Sequence, residues 1–297
     1  PHLLGHCDWC GDQHAVVLQA EKMAVTFNSL SGQSPAQLAK ALNTAFQDYA
    51  VPISITEEAM ADKMTGESVD VIRSIGAYAN GELIGFIQHG VRGGHYYNAT
   101  TGVFPSFRGQ QLTERMYAWF LERFSPQRMQ LEALVDNQRA LTVYRRVGFV
   151  PVREVLGFKT PWPMRYDRCG MFKLQPLSSL DEVDSSWWDS QPTWAYNLDS
   201  IRITWPSLLK LGAYKDGQCI GYMLYHPNRQ RLLSFAVHPD WRRSGIGSQL
   251  LVNLQQRVRT PFSIINIDTR AQGCIDFLLA MGCHQYFRQY EMVWERV

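Results

Sequence analysis

The sequence predicts an α/β fold in which a mixed, mostly antiparallel sheet is flanked by helices, and in which this unit occurs twice in tandem. Three observations support this prediction. Segments with strand and helix patterns alternate along the chain. A late stretch, "AYKDGQCIGYMLY" at 213–225, repeats the early stretch "AYANGELIGFIQH" at 77–89. The 297 residues are also enough for two domains, since one domain takes roughly 150 residues.

The first half begins with a strand and two helices. "AVTFNSL" predicts a strand, and "SPAQLAKALNTAFQDY" predicts a helix. Ser34 can cap the first turn of that helix, and Pro35 stands where a missing N–H is tolerated. "TEEAMADKM" predicts a shorter second helix.

A three-stranded meander is predicted next. Two β-rich runs flank Asn80-Gly81, a pair that tolerates the positive φ angles of a tight hairpin. A third run, "HYYNATTGVF", follows Gly93-Gly94. The three runs therefore predict antiparallel neighbours.

Helices and strands alternate in the rest of the first half. The segments are a helix at "LTERMYAWFLERF", a buried strand at "RMQLEALV", a helix at "NQRALTVYRRV" and a last strand at "FVPVREVLGF". Closely spaced prolines in "KTPWPMRYDR" predict a linker near 159–166. We therefore expect an N-terminal domain at 23–160 and a C-terminal domain at 161–297.

The second half repeats this order. "VHPDWR" aligns with "VFPSFR", and the distance from the turn proline to a later glycine is the same in both halves, Pro105 to Gly148 and Pro239 to Gly282. A repeat this long indicates a duplicated domain, because solenoid units run roughly 20–50 residues.

Composition excludes several classes of protein. The 29 basic and 27 acidic residues interleave and leave a formal charge of +2, so no nucleic-acid or anionic-membrane footprint is predicted. No apolar run reaches the roughly 18 residues of a membrane span, and no signal peptide is evident. Six scattered cysteines do not form a disulfide framework. We expect free thiols and a cytoplasmic protein.

Residues 1–22 form a leader of uncertain role. "HCDWCGDQH" places His6 and His14 beside Cys7 and Cys10, which is half of a possible zinc site. A second ligand pair is not evident, so an upstream extension before a start at Met23 is the favoured interpretation, and no metal is expected. Zinc-dependent interaction through this leader is the alternative.

The stretch "VHPDWRRSGIGSQLL" at 237–251 predicts a strand, a tight turn and a helix. Backbone N–H groups at a helix start lack intrahelical partners and carry partial positive charge, so they can bind an anion. Gly245 and Gly247 would let a bulky pyrophosphate approach the backbone. Arg242 and Arg243 would add charge. A purely structural turn is the alternative interpretation.

Residues 242–247, "RRSGIG" after "AVHPDW", resemble the acetyl-CoA pyrophosphate loop, [RQ]-x-x-G-x-[GA], of the GCN5-related N-acetyltransferases, the GNAT family. The resemblance covers nearly all of residues 24–297, so the chain is similar to two acyl-CoA N-acyltransferase domains in tandem. It implies a splayed sheet, a pantetheine arm between the fourth and fifth strands, and an acyl thioester presented to an amine. The cofactor-binding positions that it implies in the second domain are Val237, Arg242, Arg243, Ser244, Gly245, Ile246, Gly247 and Ser248.

The first domain resembles the family in its catalytic segment. "LEALVDNQRALTVYRRVGF" is similar to the family pattern L-E-V-x-x-x-N-x-x-A-x-x-x-Y-x-x-x-G-F, which implies Glu132 as the base and Tyr144 as the acid. An amine with a pKa of about 10.4 must lose a proton before it attacks a thioester, and the departing thiolate needs a donor. Asn137 would hold the pantetheine or its helix. A solvated strand residue and a core tyrosine are the structural alternatives for Glu132 and Tyr144.

The two domains have diverged in opposite directions. The first-domain loop, "RGQQLT" at 108–113, has Gln and Thr where the motif has glycines, which we expect to weaken acetyl-CoA binding without abolishing it. The cofactor-binding candidates of this domain are Val103, Arg108, Gly109, Gln110, Gln111, Leu112, Thr113 and Asn137. In the second domain the positions equivalent to Glu132, Tyr144 and Asn137 are Asn266, Leu278 and Ala271.

The sequence therefore predicts an acetyl-CoA-dependent N-acetyltransferase that acts on a primary amine, with the chemistry in the N-terminal domain. The alternative is a catalytically silent acyl-CoA sensor or scaffold. Small-molecule and peptide amines both stay open as acceptors. Aromatic residues such as Tyr97 and Trp194 are expected in the core or between domains, with an acceptor groove as the alternative. We expect a monomer whose two domains mimic a dimer.

Overall fold

The computed structural model describes residues 24–48, 54–165 and 172–296. The leader with Cys7 and Cys10 lies outside these residues, and so does its possible zinc site. The elements of the first half are β1 (Val25–Ser29), α1 (Pro35–Ala45), α2 (Glu57–Gly66), β2 (Ile75–Ala79), β3 (Glu82–Arg92), β4 (His95–Val103), α3 (Leu112–Phe124), β5 (Arg128–Leu134), α4 (Gln138–Val147) and β6 (Val150–Lys159).

The second half has the same order of elements, except that one α-helix with short 3₁₀ turns around it takes the place of α1 and α2. Its elements are β7 (Lys173–Gln175), α5 (Leu198–Thr204), β8 (Leu209–Lys215), β9 (Gln218–His226), β10 (Arg231–Val237), α6 (Ile246–Val258), β11 (Ser263–Asp268), α7 (Gln272–Ala280) and β12 (His284–Glu295). None of the described helices is both long and apolar enough to cross a membrane.

Local sequence signals explain several of these boundaries. Ser34 and Gln37 form a capping box at the start of α1, so two backbone donors that the helix leaves unpaired are satisfied. The β2–β3 hairpin turns at Asn80 and Gly81, with φ angles of 52° and 83°. Both residue types tolerate this left-handed region.

All twelve strands form one sheet in the order β1-β2-β3-β4-β5-β12-β6-β11-β10-β9-β8-β7. Neighbouring strands are antiparallel at most junctions, and β4–β5 and β10–β11 are the parallel pairs among the described strands. The parallel pairing is short, with three residue pairs between β4 and β5 and two between β10 and β11. Beyond these pairs the strands splay apart. The prediction of a mixed, mostly antiparallel sheet flanked by helices is confirmed.

The two halves exchange their last strands at the centre of the sheet. β12, from the end of the chain, lies between β5 and β6, and β6 lies between β12 and β11. Each half therefore contributes one strand to the sheet of the other half, and the two halves form one continuous sheet.

Helices cover both faces of the sheet. In the first half, α3 and α4 bury one apolar cluster that includes Met116, Leu131 and Leu141. α6 and α7 bury the equivalent cluster in the second half. α1 and α2 pack on the opposite face of the first half. The splayed strands of the first half thus lie between two layers of helices.

Candidate functional site

The loop before α6 has the geometry of an anion-binding site. Arg243 and Gly245 both have left-handed backbone conformations, with φ angles of 63° and 86°, and Gly245 precedes the first helical residue. The first backbone hydrogen bond of the helix runs from the Gln249 N–H to the Gly245 carbonyl, at 3.0 Å. The N–H groups of residues 246–248 therefore have no intrahelical acceptor and are available to an anion.

Arg242 braces this loop. Its guanidinium donates to the Val237 and Trp187 carbonyls, at 3.2 and 2.8 Å, and pairs with Asp189 at 2.9 Å. The neighbouring Arg243 is exposed at the loop surface. The sequence predicts that both arginines contact the anion. In the structure Arg242 braces the loop through these contacts, and Arg243 lies at the loop end of a cavity.

The loop before α3 has the same backbone shape, although two glycines are missing from it. Gly109 and Gln111 have φ angles of 80° and 54°, which match those of Arg243 and Gly245. A residue with a side chain is disfavoured in this region by about 1 kcal/mol. Such strain persists only where the surrounding structure fixes it. The loop of the first half therefore presents the N–H groups of residues 112–114 in the same way.

Arg108 plays the bracing role in the first half. It donates to the Val103 carbonyl at 3.3 Å and to the Ala45 carbonyl at 2.7 Å, and it pairs with Asp48 at 2.5 Å. Val103 and Val237 thus accept from equivalent arginines. Gln110 and Thr113 lie in this loop and in the first turn of α3.

A cavity of about 610 Å³ extends from the α6 loop into the splay between β10 and β11. Arg243, Gly245 and Ser248 line its loop end. On the opposite face of the sheet its lining includes Trp188 and Tyr222, whose side chains are hydrogen-bonded at 2.5 Å. The cavity therefore passes through the sheet, so a ligand held at the loop can reach the other face.

Glu132 lies on β5, just beyond the last residue pair with β4. Its neighbours Leu131 and Ala133 pack beneath α3 and α4, so the Glu132 side chain points to the opposite face. The Tyr97 hydroxyl donates to Oε2 at 2.6 Å. Oε1 is buried and has no hydrogen-bond partner among the described residues.

The pKa of Glu132 is raised to about 7. Burial is the main cause, and the nearby carboxylates of Glu291 and Glu67 add to it, while the Tyr97 hydroxyl and Lys63 oppose the rise. A carboxylate with a pKa near 7 and an unpartnered oxygen has the properties of a general base at neutral pH.

Tyr144 lies on α4, on the other side of β5 from Glu132. Its ring packs edge to face against Phe149, with the ring centroids 5.9 Å apart. Burial, and then the proximity of Tyr144, raise the pKa of Tyr117 well above its ordinary value. The Asn98 amide donates to the Tyr117 hydroxyl at 2.8 Å. The two sequence-predicted catalytic residues thus lie on opposite faces of the strand that borders the splay.

Asn137 caps α4. Its side-chain oxygen accepts from the Ala140 N–H at 3.1 Å, which satisfies a donor that the helix leaves unpaired. The sequence offered two roles for Asn137, a contact with pantetheine or support of the helix, and this hydrogen bond belongs to the second of them.

The equivalent positions of the second half differ in chemistry. Leu278 is fully buried and has no hydroxyl. Asn266 lines the cavity with a φ angle of 63°, and its side-chain amide donates to the Thr193 hydroxyl at 2.7 Å. The Asn266 Oδ1 atom is buried and, like Glu132 Oε1, lacks a partner within the described part of the chain.

Sequence reasoning missed two features of this region. The hydrogen bond from Tyr97 to Glu132 joins β4 to β5, and the Tyr97 ring stacks on Trp194 of the second half. Neither contact has a local sequence signal, because each joins residues far apart in the chain.

Comparisons with known proteins agree with this architecture. The model of the acetyltransferase (GNAT) family matches residues 39–149 and 176–282. A GCN5-related N-acetyltransferase from Sphaerobacter thermophilus is 16% identical and has a TM-score of 0.69, with 91% of this chain and 95% of that chain covered. Comparison with curated protein sequences gives no match.

Two further solved structures are similar. A tandem GNAT protein from the clavulanic acid biosynthesis pathway is 13% identical, with a TM-score of 0.69 and with 92% of this chain and 98% of that chain covered. An acetyltransferase of the GNAT family from Colwellia psychrerythraea is 12% identical, with a TM-score of 0.59 and with 91% and 100% covered. At these identities the similarity concerns the fold.

Proposed function

Because the chain belongs to the acetyltransferase (GNAT) family, we propose that it transfers the acetyl group of acetyl-CoA to a primary amine, and that the chemistry takes place in the N-terminal domain. One observation carries this proposal. Glu132 combines a pKa of about 7 with a buried, unpartnered oxygen beside the splay of β4 and β5. Glu132 acts as the general base, and Tyr144 acts as the acid.

The proposed reaction follows from the protonation states. An alkylammonium group with a pKa of about 10.4 is mostly protonated at neutral pH, and Glu132 Oε1 takes one proton from it. The free amine then attacks the thioester carbonyl. A C–N bond forms, the C–S bond breaks, and the Tyr144 hydroxyl gives its proton to the departing thiolate. The second amine proton leaves to solvent, Tyr144 regains a proton from solvent and Glu132 releases the one it took, so the products are the amide, CoA and one proton.

The loop before α3 would hold the pyrophosphate of acetyl-CoA in this domain. The conformation at Gly109 and Gln111 matches that of the glycine-containing loop of the second domain. Because backbone N–H groups are the donors, Leu112 and Thr113 can bind the anion without a particular side chain.

A second candidate function is supported by the cavity of the C-terminal domain. We propose that this cavity binds acyl-CoA without catalysis, as a sensor or scaffold would. Its volume of about 610 Å³ is typical of a small-molecule site. Asn266 and Leu278 replace the base and the acid there, and neither can transfer a proton in this reaction.

The acceptor is proposed to be a primary amine of a small molecule or peptide, and the protein is proposed to act as a monomer. The exchange of β6 and β12 within one chain supports the proposal of a monomer. The two domains of one chain already form the contact that two separate copies would form in a dimer.

Replacing Tyr144 by Phe is expected to lower turnover by a factor on the order of 10²–10⁴, because the thiolate loses its proton donor. The measurement is CoA thiol release from acetyl-CoA with a panel of primary amines that includes a lysine peptide and glucosamine. Tyr286→Phe, at an exposed tyrosine of β12, is the control and should keep wild-type turnover. Wild-type turnover in Tyr144→Phe would contradict the role of this residue as the acid.

Calorimetric titration of acetyl-CoA is expected to show two sites in the wild-type protein and one site in each of Gly245→Glu and Gln111→Glu. A carboxylate in either loop would repel the pyrophosphate. Gly217 has a φ angle of 82° in a hairpin with open space around it. Gly217→Glu is therefore the matched control for backbone strain and should keep both sites. A single site that only Gly245→Glu abolishes would favour the binding function over catalysis in the N-terminal domain.

A further inference from the structure

Trp194 belongs to the second half of the chain but packs against the first half. Its indole stacks on the Tyr97 ring, with the centroids 5.5 Å apart and the planes at 13°. The indole N–H donates to the Glu67 carbonyl at 2.8 Å. Only 5% of Trp194 is exposed, so its position is fixed by contacts on several sides.

Arg92 of the first half holds the segment that contains Trp194. Its guanidinium lies 4.4 Å from the centroid of the Trp194 ring. It also donates to the Trp194 carbonyl at 3.2 Å, to Asn197 at 2.9 Å and to the Ser200 hydroxyl at 2.8 Å. One half-buried guanidinium thus contacts three residues of the second half and holds them on the first half.

Tyr97 connects this anchor to Glu132. It is almost fully buried, with its ring against Trp194 and its hydroxyl on Glu132 Oε2. A tyrosine held at both ends has little freedom, so it fixes the carboxylate. With Oε2 occupied, Oε1 remains as the oxygen that can receive a proton.

We propose that Tyr97 and Trp194 are positioning residues for the Glu132 carboxylate, so that the second domain completes the proton-accepting site of the first. This inference rests on the proposed function of Glu132.

The second domain lacks this arrangement. Arg231 occupies the position equivalent to Tyr97, and its guanidinium donates to the Tyr196 hydroxyl at 3.2 Å. Asn266, the equivalent of Glu132, instead donates to Thr193. The connection through an aromatic stack to a carboxylate is therefore specific to the first domain, where the base is proposed.

The groups around Glu132 determine in which direction its pKa should move when Tyr97 or Trp194 is replaced. Glu291 on β12 and Glu67 at the end of α2 raise its pKa, and Lys63 on α2 and the Tyr97 hydroxyl lower it. Removal of the Tyr97 hydroxyl must raise the pKa of Glu132, because only the charged form gains from that hydrogen bond. If Trp194 acts through Tyr97, its loss must shift the pKa in the same direction.

The test is an infrared pH titration of the protonated carboxyl band, with Glu132→Gln used to assign the Glu132 contribution. In Tyr97→Phe the titration midpoint of Glu132 is expected to rise by about one pH unit. Trp194→Leu is expected to move it in the same direction by less, and the double variant to match Tyr97→Phe alone. Trp205→Leu, a control at the end of α5, is expected to titrate like the wild type.

Two results would overturn the inference. One is a wild-type titration midpoint in Trp194→Leu, and the other is an additive shift in the double variant. Trp194→Phe keeps an aromatic stack and serves if Trp194→Leu fails to fold. It is expected to give a smaller upward shift, and an unchanged midpoint would also overturn the inference. Because the infrared titration needs no acceptor, it is independent of turnover. Full turnover by Glu132→Gln would instead refute the proposed function.

Discussion

Glu132→Gln is expected to make the protein more stable at alkaline pH and nearly inactive at the same time. The folded-state pKa of Glu132 is about 7, against an ordinary value of 4.5. A carboxyl with a raised pKa binds its proton more tightly in the folded state, so wild-type stability falls as the pH rises from 4.5 through 7. Between pH 5 and pH 8 this loss amounts to about 2 to 3 kcal/mol.

The variant should lack this loss, because it has no carboxyl to ionise, and its turnover should fall by a factor on the order of 10²–10⁴. Urea unfolding at pH 5 and pH 8 measures the first effect, and CoA thiol release measures the second. Glu82→Gln, at the exposed start of β3, is the control for removal of a carboxylate. A variant that gains stability but keeps full turnover would show Glu132 to be a structural residue.

Arg153→Met is expected to lower the free energy of unfolding by about 3 kcal/mol or more. Arg153 lies on β6 and pairs with Glu291 of β12 at 2.5 Å and with Asp268 of β11 at 3.0 Å. Asp268 is fully buried and Glu291 nearly so. Without the guanidinium, Glu291 keeps only a long hydrogen bond from Gln130, at 3.4 Å, and a buried carboxylate is left without a compensating charge.

Arg128→Met provides the matched control. Arg128 pairs with Glu295 at 2.7 Å across β5 and β12, but both side chains are exposed, and such pairs contribute about 0–1 kcal/mol. Urea unfolding of the two variants at neutral pH makes the comparison. An equal loss of unfolding free energy in both variants would show that the buried cluster of Arg153, Asp268 and Glu291 does not stabilise the contact between the two halves.

Much of the fold could be predicted because its signals are local. The cap at Ser34, the hairpin at Asn80 and Gly81, and the alternation of helices and strands all depend on neighbouring residues. The duplication also made positions comparable, so that Gln111 could be matched with Gly245. The strand exchange could not be predicted in this way. β6 and β12 are equivalent strands, and no local pattern indicates whether each one pairs with strands of its own half or of the other half.

The candidate site was predictable only in part. The family pattern predicts Glu132 and Tyr144 as the base and the acid, but Tyr97, whose hydroxyl donates to Glu132, lies 35 residues earlier in the chain. The expectation that Gln111 and Thr113 weaken acetyl-CoA binding in the first domain stays a prediction. The backbone nevertheless adopts the left-handed conformation at Gln111, with Arg108 bracing the segment before it.

The position of β12 between β5 and β6 also determines when the first domain can mature during translation. A ribosome releases the segments of both domains in order, and β12 follows the other eleven described strands. Until it emerges, the newly made β5 has an unpaired edge that can join a foreign strand. Long-range pairing of this kind folds slowly. The chain therefore needs protection of this edge from the completion of β5 until β12 is made, which is about half of its synthesis, and chaperone binding to nascent chains is expected at β5.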